Sequence, residues 1–215
     1  MRNPIKIHFA TIAALGSLLS AIPAAQAGTL KSSNESRKTI RNVVDCVVDY
    51  DTVENGGKAI SAYFSTNTMS PKLRAYITEC VKTQSFKRRW VSSSQESSGL
   101  LRGEIARSIV ANEWGGSLPG VMREMARTGE GDPLRTFGLC VAGRDATNAR
   151  SAIDSQVGSP RERAAYAALK PVLATCVKQG QTVRFSKQML EGALAQGLFA
   201  MQFAGQPEMT SGTNL

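Results

Sequence analysis

Histidine is nearly absent from this sequence. Of 215 residues only one, His8, is a histidine. The rest of the chain therefore lacks the side chain that activates serine and cysteine nucleophiles in most hydrolases and that most catalytic zinc sites use. The motifs GxxxxGK[ST], GxGxxG, GxSxG and SxxK are missing as well. Any chemistry must come from carboxylates, lysine, tyrosine or serine, and we predict no cofactor and no metal.

Closely spaced cysteine pairs are also missing. The four cysteines are Cys46, Cys80, Cys140 and Cys176, and the nearest two are separated by 34 positions. A zinc site with four cysteine ligands normally shows pairs separated by two to four residues. An even number of widely spaced cysteines instead indicates two disulfides, which form in oxidising compartments.

The first 27 residues have the pattern of a secretory signal peptide. A basic start precedes an apolar run that is short for a membrane span, and Ala25 and Ala27 match the cleavage rule. We expect a mature chain of residues 28–215, exported to the periplasm or the extracellular medium, with no transmembrane segment. Cleavage would remove two basic residues and no acid, which lowers the formal net charge from +9 to +7.

The segments that precede Cys80 and Cys176 have the same pattern. Both carry an apolar stripe with the i, i+3, i+4, i+7, i+8 spacing of one helix face. The stripes are Leu73, Tyr76, Ile77, Cys80 and Val81, and Leu169, Val172, Leu173, Cys176 and Val177. Each follows a Ser-Pro pair typical of a helix start, at Ser70 and Ser159. Pro171 lies inside the second stripe, and we expect it to kink that helix.

Two further pairs of segments match in the same order. The segments around Cys46 and Cys140 share apolar positions 94 residues apart, with Gly138 as the weak match. LRGEIARSIVA at 101–111 aligns with LEGALAQGLFA at 190–200. Because cysteines recur in two of the matched segments, an internal duplication explains the pattern better than a chance likeness of amphipathic helices.

The duplication predicts an all-α fold, a helical bundle built from two four-helix units with one disulfide each. The predicted helices span 37–49, 53–65, 71–84 and 98–112, then 133–143, 147–156, 160–178 and 186–203, with an extra connecting helix at 117–128 as an option. The predicted parts are a first unit at 28–114, a connecting segment at 115–132, a second unit at 133–204 packed with the first as one domain, and disordered stretches at 28–37 and 205–215.

The duplication also selects a disulfide pairing. Of the three connectivities that four cysteines allow, only Cys46–Cys80 with Cys140–Cys176 closes equivalent loops in the two units. Each bond would join the first and third helices of its unit, and each closes a loop worth about 3–4 kcal/mol in the chain-entropy model.

An aspartate lies five residues after the first cysteine of each unit, at Asp51 and Asp145. The stretch DYDTVEN at 49–55 lacks the acceptor and the glycine that a calcium-binding EF-hand loop needs. We therefore interpret both aspartates as starting the second helix of their unit, with Asp51 or Thr52 as the first N-cap.

Two glutamates are weak candidates for acid–base catalysis. Glu79 lies beside Cys80, and Glu104 lies in the fourth helix; the second unit has Thr175 and Ala193 in their places. A carboxylate found in one unit only is free to have acquired a catalytic role. Exposed glutamate is common on helices, however, so the sequence favours solvated helix-face charges at both positions.

The two units differ most after the third helix, where the first has an insert at 85–99. Its residues Phe86, Lys87, Arg88, Arg89 and Trp90 combine positive charge with aromatic rings, a pairing that can hold an anionic polymer. The alternative is that the rings pin a loop to the core. Basic residues are otherwise spread along the chain, which argues against nucleic acid as a partner.

The sequence thus favours an exported, non-enzymatic envelope protein with a binding or structural role. Its partner would be an anionic envelope polymer or a protein, contacted through the insert at 85–99. A carboxylate-dependent hydrolase acting on cell-wall glycan is the alternative.

Overall fold

The structure of the protein is a computed structural model, and it describes residues 33–83, 95–112, 119–128, 132–177 and 185–204. All regular structure within these ranges is helical, which confirms the predicted all-α fold. The helices are α1 (Ser33–Asn55), α2 (Lys58–Thr66), α3 (Pro71–Thr83), α4 (Gln95–Ala111), α5 (Pro119–Arg127), α6 (Pro133–Arg144), α7 (Ala146–Asp154), α8 (Pro160–Cys176) and α9 (Lys187–Phe203). The predicted signal peptide and the tail from 205 lie outside the described residues.

Helix starts with a clear cap signal agree with the sequence prediction. The backbone N–H of Leu73 donates to Ser70 at the start of α3, and that of Glu162 donates to Ser159 at the start of α8, both at 3.1 Å. Asp145 is the N-cap of α7, as predicted. The α8 helix continues through Pro171 to Cys176. The optional connecting helix is present as α5.

The first helix is much longer than the sequence predicts. It begins at Ser33, inside the stretch 28–37 that was expected to be disordered, and continues to Asn55. Its first turns are held because Arg37 is only 3% exposed and forms ion pairs with helices far along the chain. Such long-range pairs leave no local sequence signal.

Asp51 is not the N-cap of α2, which corrects the prediction. It lies inside α1, yet its carboxylate accepts from the backbone N–H of Ala59 at 3.2 Å and of Ile60 at 2.8 Å. The chain folds back because Gly56 and Gly57 take positive φ angles of 60° and 72°, which glycine adopts without a steric cost. Asp51 therefore satisfies the first turn of α2 from the end of the preceding helix.

Both disulfides form as predicted, Cys46 with Cys80 and Cys140 with Cys176. The first joins α1 to α3, and the second joins α6 to α8. The order of four helices with a bond between the first and third therefore occurs twice. We call α1 to α4 the first unit and α6 to α9 the second unit.

The two units share one hydrophobic core, and α9 lies at its centre. Buried side chains from both units form a single cluster. The α9 helix packs against α4, α5, α6 and α7, and it is buried on almost every side. No helix in the described part of the chain combines the length and the hydropathy that a membrane span needs.

Glycines allow α9 to approach its neighbours until the backbones touch. A Cβ atom at Gly103 of α4 would lie 2.4 Å from the Cα of Gly192, and one at Gly138 of α6 would lie 1.8 Å from the carbonyl oxygen of Ala193. Gly103 and Gly192 are aligned with each other in the two copies of the repeat. The two units therefore meet at equivalent positions.

Candidate functional site

The basic-aromatic residues predicted to bind a partner, Phe86, Lys87, Arg88, Arg89 and Trp90, lie outside the described residues. The described chain reaches Thr83, the last residue of α3, and resumes at Gln95, the first residue of α4. Lys87 follows Thr83 by four positions in the sequence. Because α4 begins at Gln95, it includes the last five positions of the insert, and the end of α3 is the described element nearest along the chain to Lys87.

An open groove runs along the exposed side of α3. Its lining residues are Met69, Pro71, Arg74, Ala75, Thr78, Glu79 and Lys82. Arg74 and Lys82 bring positive charge to it and Glu79 brings one negative charge, so the groove is modestly basic. Its apolar stretches come from Met69 and Pro71, at the end of the groove farther from the insert.

Glu79 is an exposed helix-face charge, as the sequence favours. Its side chain is 51% exposed, and its carboxylate accepts from the ammonium group of Lys82 at 3.1 Å. A single exposed ion pair of this kind contributes little to stability. Glu79 lines the groove without a second carboxylate among the lining residues.

Glu104 is buried, which contradicts the expectation that it is solvated. It is 1% exposed and lies on α4 directly after the crossing point at Gly103. Its Oε2 accepts from Nε of Arg107 at 3.0 Å, one helix turn away. Its Oε1 is buried with no hydrogen-bond partner in the structure. The carboxylate is therefore only half compensated.

Arg107 connects this buried carboxylate to the surface. The guanidinium is 5% exposed, and its Nη2 donates to Asp45 of α1 at 2.5 Å. Asp45 has 38% of its side chain exposed. Burial alone would lower the pKa of Arg107, but the attraction of Asp45 and Glu104 and their hydrogen bonds raise it above its ordinary value.

A larger ion cluster lies where α1 meets the second unit. Glu191 of α9 accepts from both Arg37 and Arg41 of α1. Arg37 also donates to Glu162 of α8 at 2.6 Å, and Glu162 accepts from Lys187 at 2.5 Å. Both carboxylates are 0% exposed. Charges that are buried to this extent require each other, so α1 is tied to α8 and α9.

The pKa shifts in this region reflect how well each group is paired. Burial would raise the pKa of Glu162, but its hydrogen bonds from Arg37 and Lys187 hold the pKa below the ordinary value. Burial and the nearby charge of Glu191 together raise the pKa of Glu104 to about 7, although Arg107 and Arg41 act to lower it. Burial and the charge of Glu191 also raise the pKa of Tyr166.

Sequence reasoning missed most of the buried ion pairs described above. The sequence prediction places Arg37 at the boundary between the stretch 28–37 and the helix 37–49, and it does not single out Arg41, Arg107 or Glu191. The i, i+3 spacing of Glu104 and Arg107 on one helix was the available signal. The partners Asp45 and Glu191 are distant in sequence, so no local pattern could point to them.

The chemistry available to the described residues is narrow. All four cysteines are in disulfides, so the protein has no free thiol. Within the described ranges, no three metal-ligating side chains are close enough to hold an ion. The two candidate glutamates do not form a pair, because one lines an exposed groove and the other lies in the core. What remains is an ionic, well-packed bundle with a modestly basic groove.

In comparisons with known proteins, no family model, no curated protein and no solved structure matches this chain.

Proposed function

We propose that the protein is an exported, non-catalytic protein that binds an anionic envelope polymer. The binding surface would combine the basic-aromatic insert at 85–99 with the groove along α3. One observation carries the proposal: the groove that bears Arg74 and Lys82 lies on the helix that leads directly into Lys87, Arg88 and Arg89. Positive charge beside aromatic rings holds acidic polymers by attraction and stacking.

The two disulfides support the part of the proposal that places the protein in an oxidising environment. Both disulfides are formed, and every cysteine is used in them. Disulfides of this kind persist in secreted and periplasmic proteins, where they stabilise small domains. The described part of the chain is thus a crosslinked helical bundle suited to an oxidising environment.

Binding to a labelled acidic glycan tests the proposal. We expect simultaneous K87A, R88A and R89A substitutions to weaken binding about tenfold, or about 1.4 kcal/mol. The matched control replaces Lys58, Arg144 and Arg161, three exposed basic residues elsewhere, with alanine. It removes the same charge and should weaken binding far less. Wild-type binding should also fall with added salt.

Three outcomes would count against the proposal. Equal weakening in the two triple variants would show a general effect of net charge rather than a site at the insert. A binding affinity that does not fall as salt is added would exclude an electrostatic contact with the polymer. Capture of a protein instead of the glycan, lost in the insert variant, would favour a protein partner.

A carboxylate-dependent hydrolase is the second candidate. The observation in its favour is the pKa of Glu104, raised by burial to about 7, which is suitable for a general acid. Its burial argues against the role, because a polymer cannot reach a side chain that is 1% exposed. Cleavage of cell-wall glycan by the wild type, abolished by Glu104→Gln or Glu79→Gln, would overturn the non-catalytic proposal.

A further inference from the structure

Glu104 lacks the pairing that the other buried carboxylates have. Glu162 accepts from two cationic side chains and a backbone N–H, and Glu191 accepts from two arginines. Glu104 accepts only from Arg107, and its second oxygen is buried with no partner. A buried carboxylate is costly to keep charged when one of its oxygens has no hydrogen-bond partner. Burial of this kind favours the protonated form.

The cations around Glu104 are already occupied. Arg107, on the same helix, is shared with Asp45 of α1 at 2.5 Å. Arg41 of α1 donates to Glu191 and to the carbonyl oxygen of Ser155. Glu191, from α9, adds a second negative charge near Glu104. Both nearby arginines therefore share their charge with other acceptors, and only Arg107 donates a hydrogen bond to Glu104.

The remaining helices packed on α4 do not change this balance. Arg150 of α7 donates to the carbonyl oxygen of Val110 and pairs with Asp154. On the α2 side, Arg102 donates to the carbonyl oxygen of Phe64 and lies over the ring of Tyr63. Neither arginine bonds to the carboxylate of Glu104, so within the described residues neither one compensates its charge.

We propose that Glu104 is a proton-binding site through which pH near neutrality controls how tightly α4 packs on α1 and α9. With its proton, the side chain is neutral, and the cost of burying an unpaired charge is removed. Without the proton, two carboxylates of α4 and α9 repel each other in the core. The packing is tight in the first state and loosened in the second.

The direction of the pH dependence follows from linkage. The pKa of Glu104 is raised by burial from an ordinary 4.5 to about 7 in the fold. The folded state therefore binds the proton more tightly than the unfolded chain, and this contribution to stability is lost as the pH rises through neutrality. Histidine, the usual side chain to titrate in that range, is absent after His8. No histidine after His8 therefore adds its own titration to that of Glu104 near neutral pH.

Urea denaturation across the neutral range tests the proposal on the whole protein. Between about pH 5.5 and about pH 8.5, the loss from this one group should raise the unfolding equilibrium constant about 30-fold. Glu104→Gln keeps the shape of the side chain and cannot ionise, so its profile should lack that rise. Glu79→Gln, at an exposed glutamate, is the matched control and should keep the wild-type profile.

A direct titration covers the case in which Glu104→Gln fails to fold. Carboxyl-carbon NMR of the wild-type protein should show one glutamate with a pKa near neutrality, and deuterium exchange should show α4 amides opening more readily above it. Glutamate carboxyls that all titrate in the ordinary acidic range would overturn the proposal. Parallel stability profiles for the wild type and Glu104→Gln would do the same.

Discussion

The contact between the first and fourth helices differs between the two units. In the second unit, α6 and α9 touch backbone to backbone, because Gly138, Ala193 and Gly197 line their crossing. In the first unit, α1 and α4 contact each other less extensively, and charged side chains lie between them. The aligned pairs are Val44 with Gly138, Asp45 with Leu139, Glu104 with Ala193, Arg107 with Gln196, and Ser108 with Gly197.

This difference separates what the repeat determines from what individual residues determine. Helix order and disulfide position are the same in both units, so they do not set the distance between the first and fourth helices. Small residues set it in the second unit, because only glycine lets the backbones meet. In the first unit, where the two helices contact each other less extensively, the hydrogen-bonded chain Glu104–Arg107–Asp45 lies between them, and the aligned positions of the second unit carry no such charges.

The largest expected effect is at the glycine crossing. Gly138→Ala should destabilise the protein by about 4 kcal/mol or more, because its Cβ would collide with the backbone of α9 and a rigid core resists such an insertion. The control is Gly143→Ala, at the exposed end of the same helix, where a Cβ meets nothing. It should be neutral or slightly stabilising. Chemical denaturation measures both, and a mild effect at Gly138 would show that the contact of α6 with α9 is not tight.

The next largest effect is the loss of a disulfide. Replacing Cys46 and Cys80, or Cys140 and Cys176, with alanine should cost about 3–4 kcal/mol in either unit, because the closed loops are nearly equal, with separations of 34 and 36 residues. Thermal unfolding of the two double variants measures this. A clearly larger loss in one unit would mean that its sulfurs contribute packing as well as a crosslink.

Replacing Asp51 or Asp145, whose carboxylates accept from backbone N–H groups in the first turns of α2 and α7, should cost less stability than the loss of a disulfide. Asp51→Ala leaves two backbone N–H groups of α2 without their acceptor and should cost about 2 kcal/mol. Asp145→Ala removes an N-cap from α7 and should cost about 1 kcal/mol. Urea denaturation of both variants compares them. Equal losses would contradict the view that the buried aspartate of the first unit has the larger role.

The smallest effect is expected at the surface of the first unit. Glu79→Gln breaks an exposed ion pair with Lys82 and should change the free energy of unfolding by less than about 0.5 kcal/mol. The same measurement on Glu162→Gln, which weakens a buried cluster, should give a clearly larger loss. Similar values for the two would mean that burial does not set the strength of these pairs.

Most of the fold could be predicted because its signals are local. Apolar stripes and Ser-Pro caps specify α3 and α8 to within two residues at either end, and the matched stripes select the disulfide pairing. The prediction failed for α1, where the helix continues past Asp51 and starts before Arg37. Turn chemistry at Gly56-Gly57 and ion pairs to α8 and α9 decide those ends, and the pairs are not local.

Much less of the candidate site could be predicted. Glu104 is one of four charged residues in α4, with Glu96, Arg102 and Arg107, and its sequence neighbours do not show whether α9 covers it. Gly138 was the weak match in the aligned repeat, yet that mismatch marked the place where two backbones meet. Departures from the repeat were therefore the informative positions, and their meaning depended on contacts between helices far apart in the chain.

The central position of α9 has a consequence for the order in which the molecule can form. Ribosomes release α9 after the other eight described helices, and it supplies the surface on which α4, α6 and α7 pack. Until it emerges, neither unit can close its core, and Arg37 and Arg41 have no Glu191 to pair with. The growing chain should therefore stay loosely structured through most of its synthesis and then consolidate in one late, cooperative step.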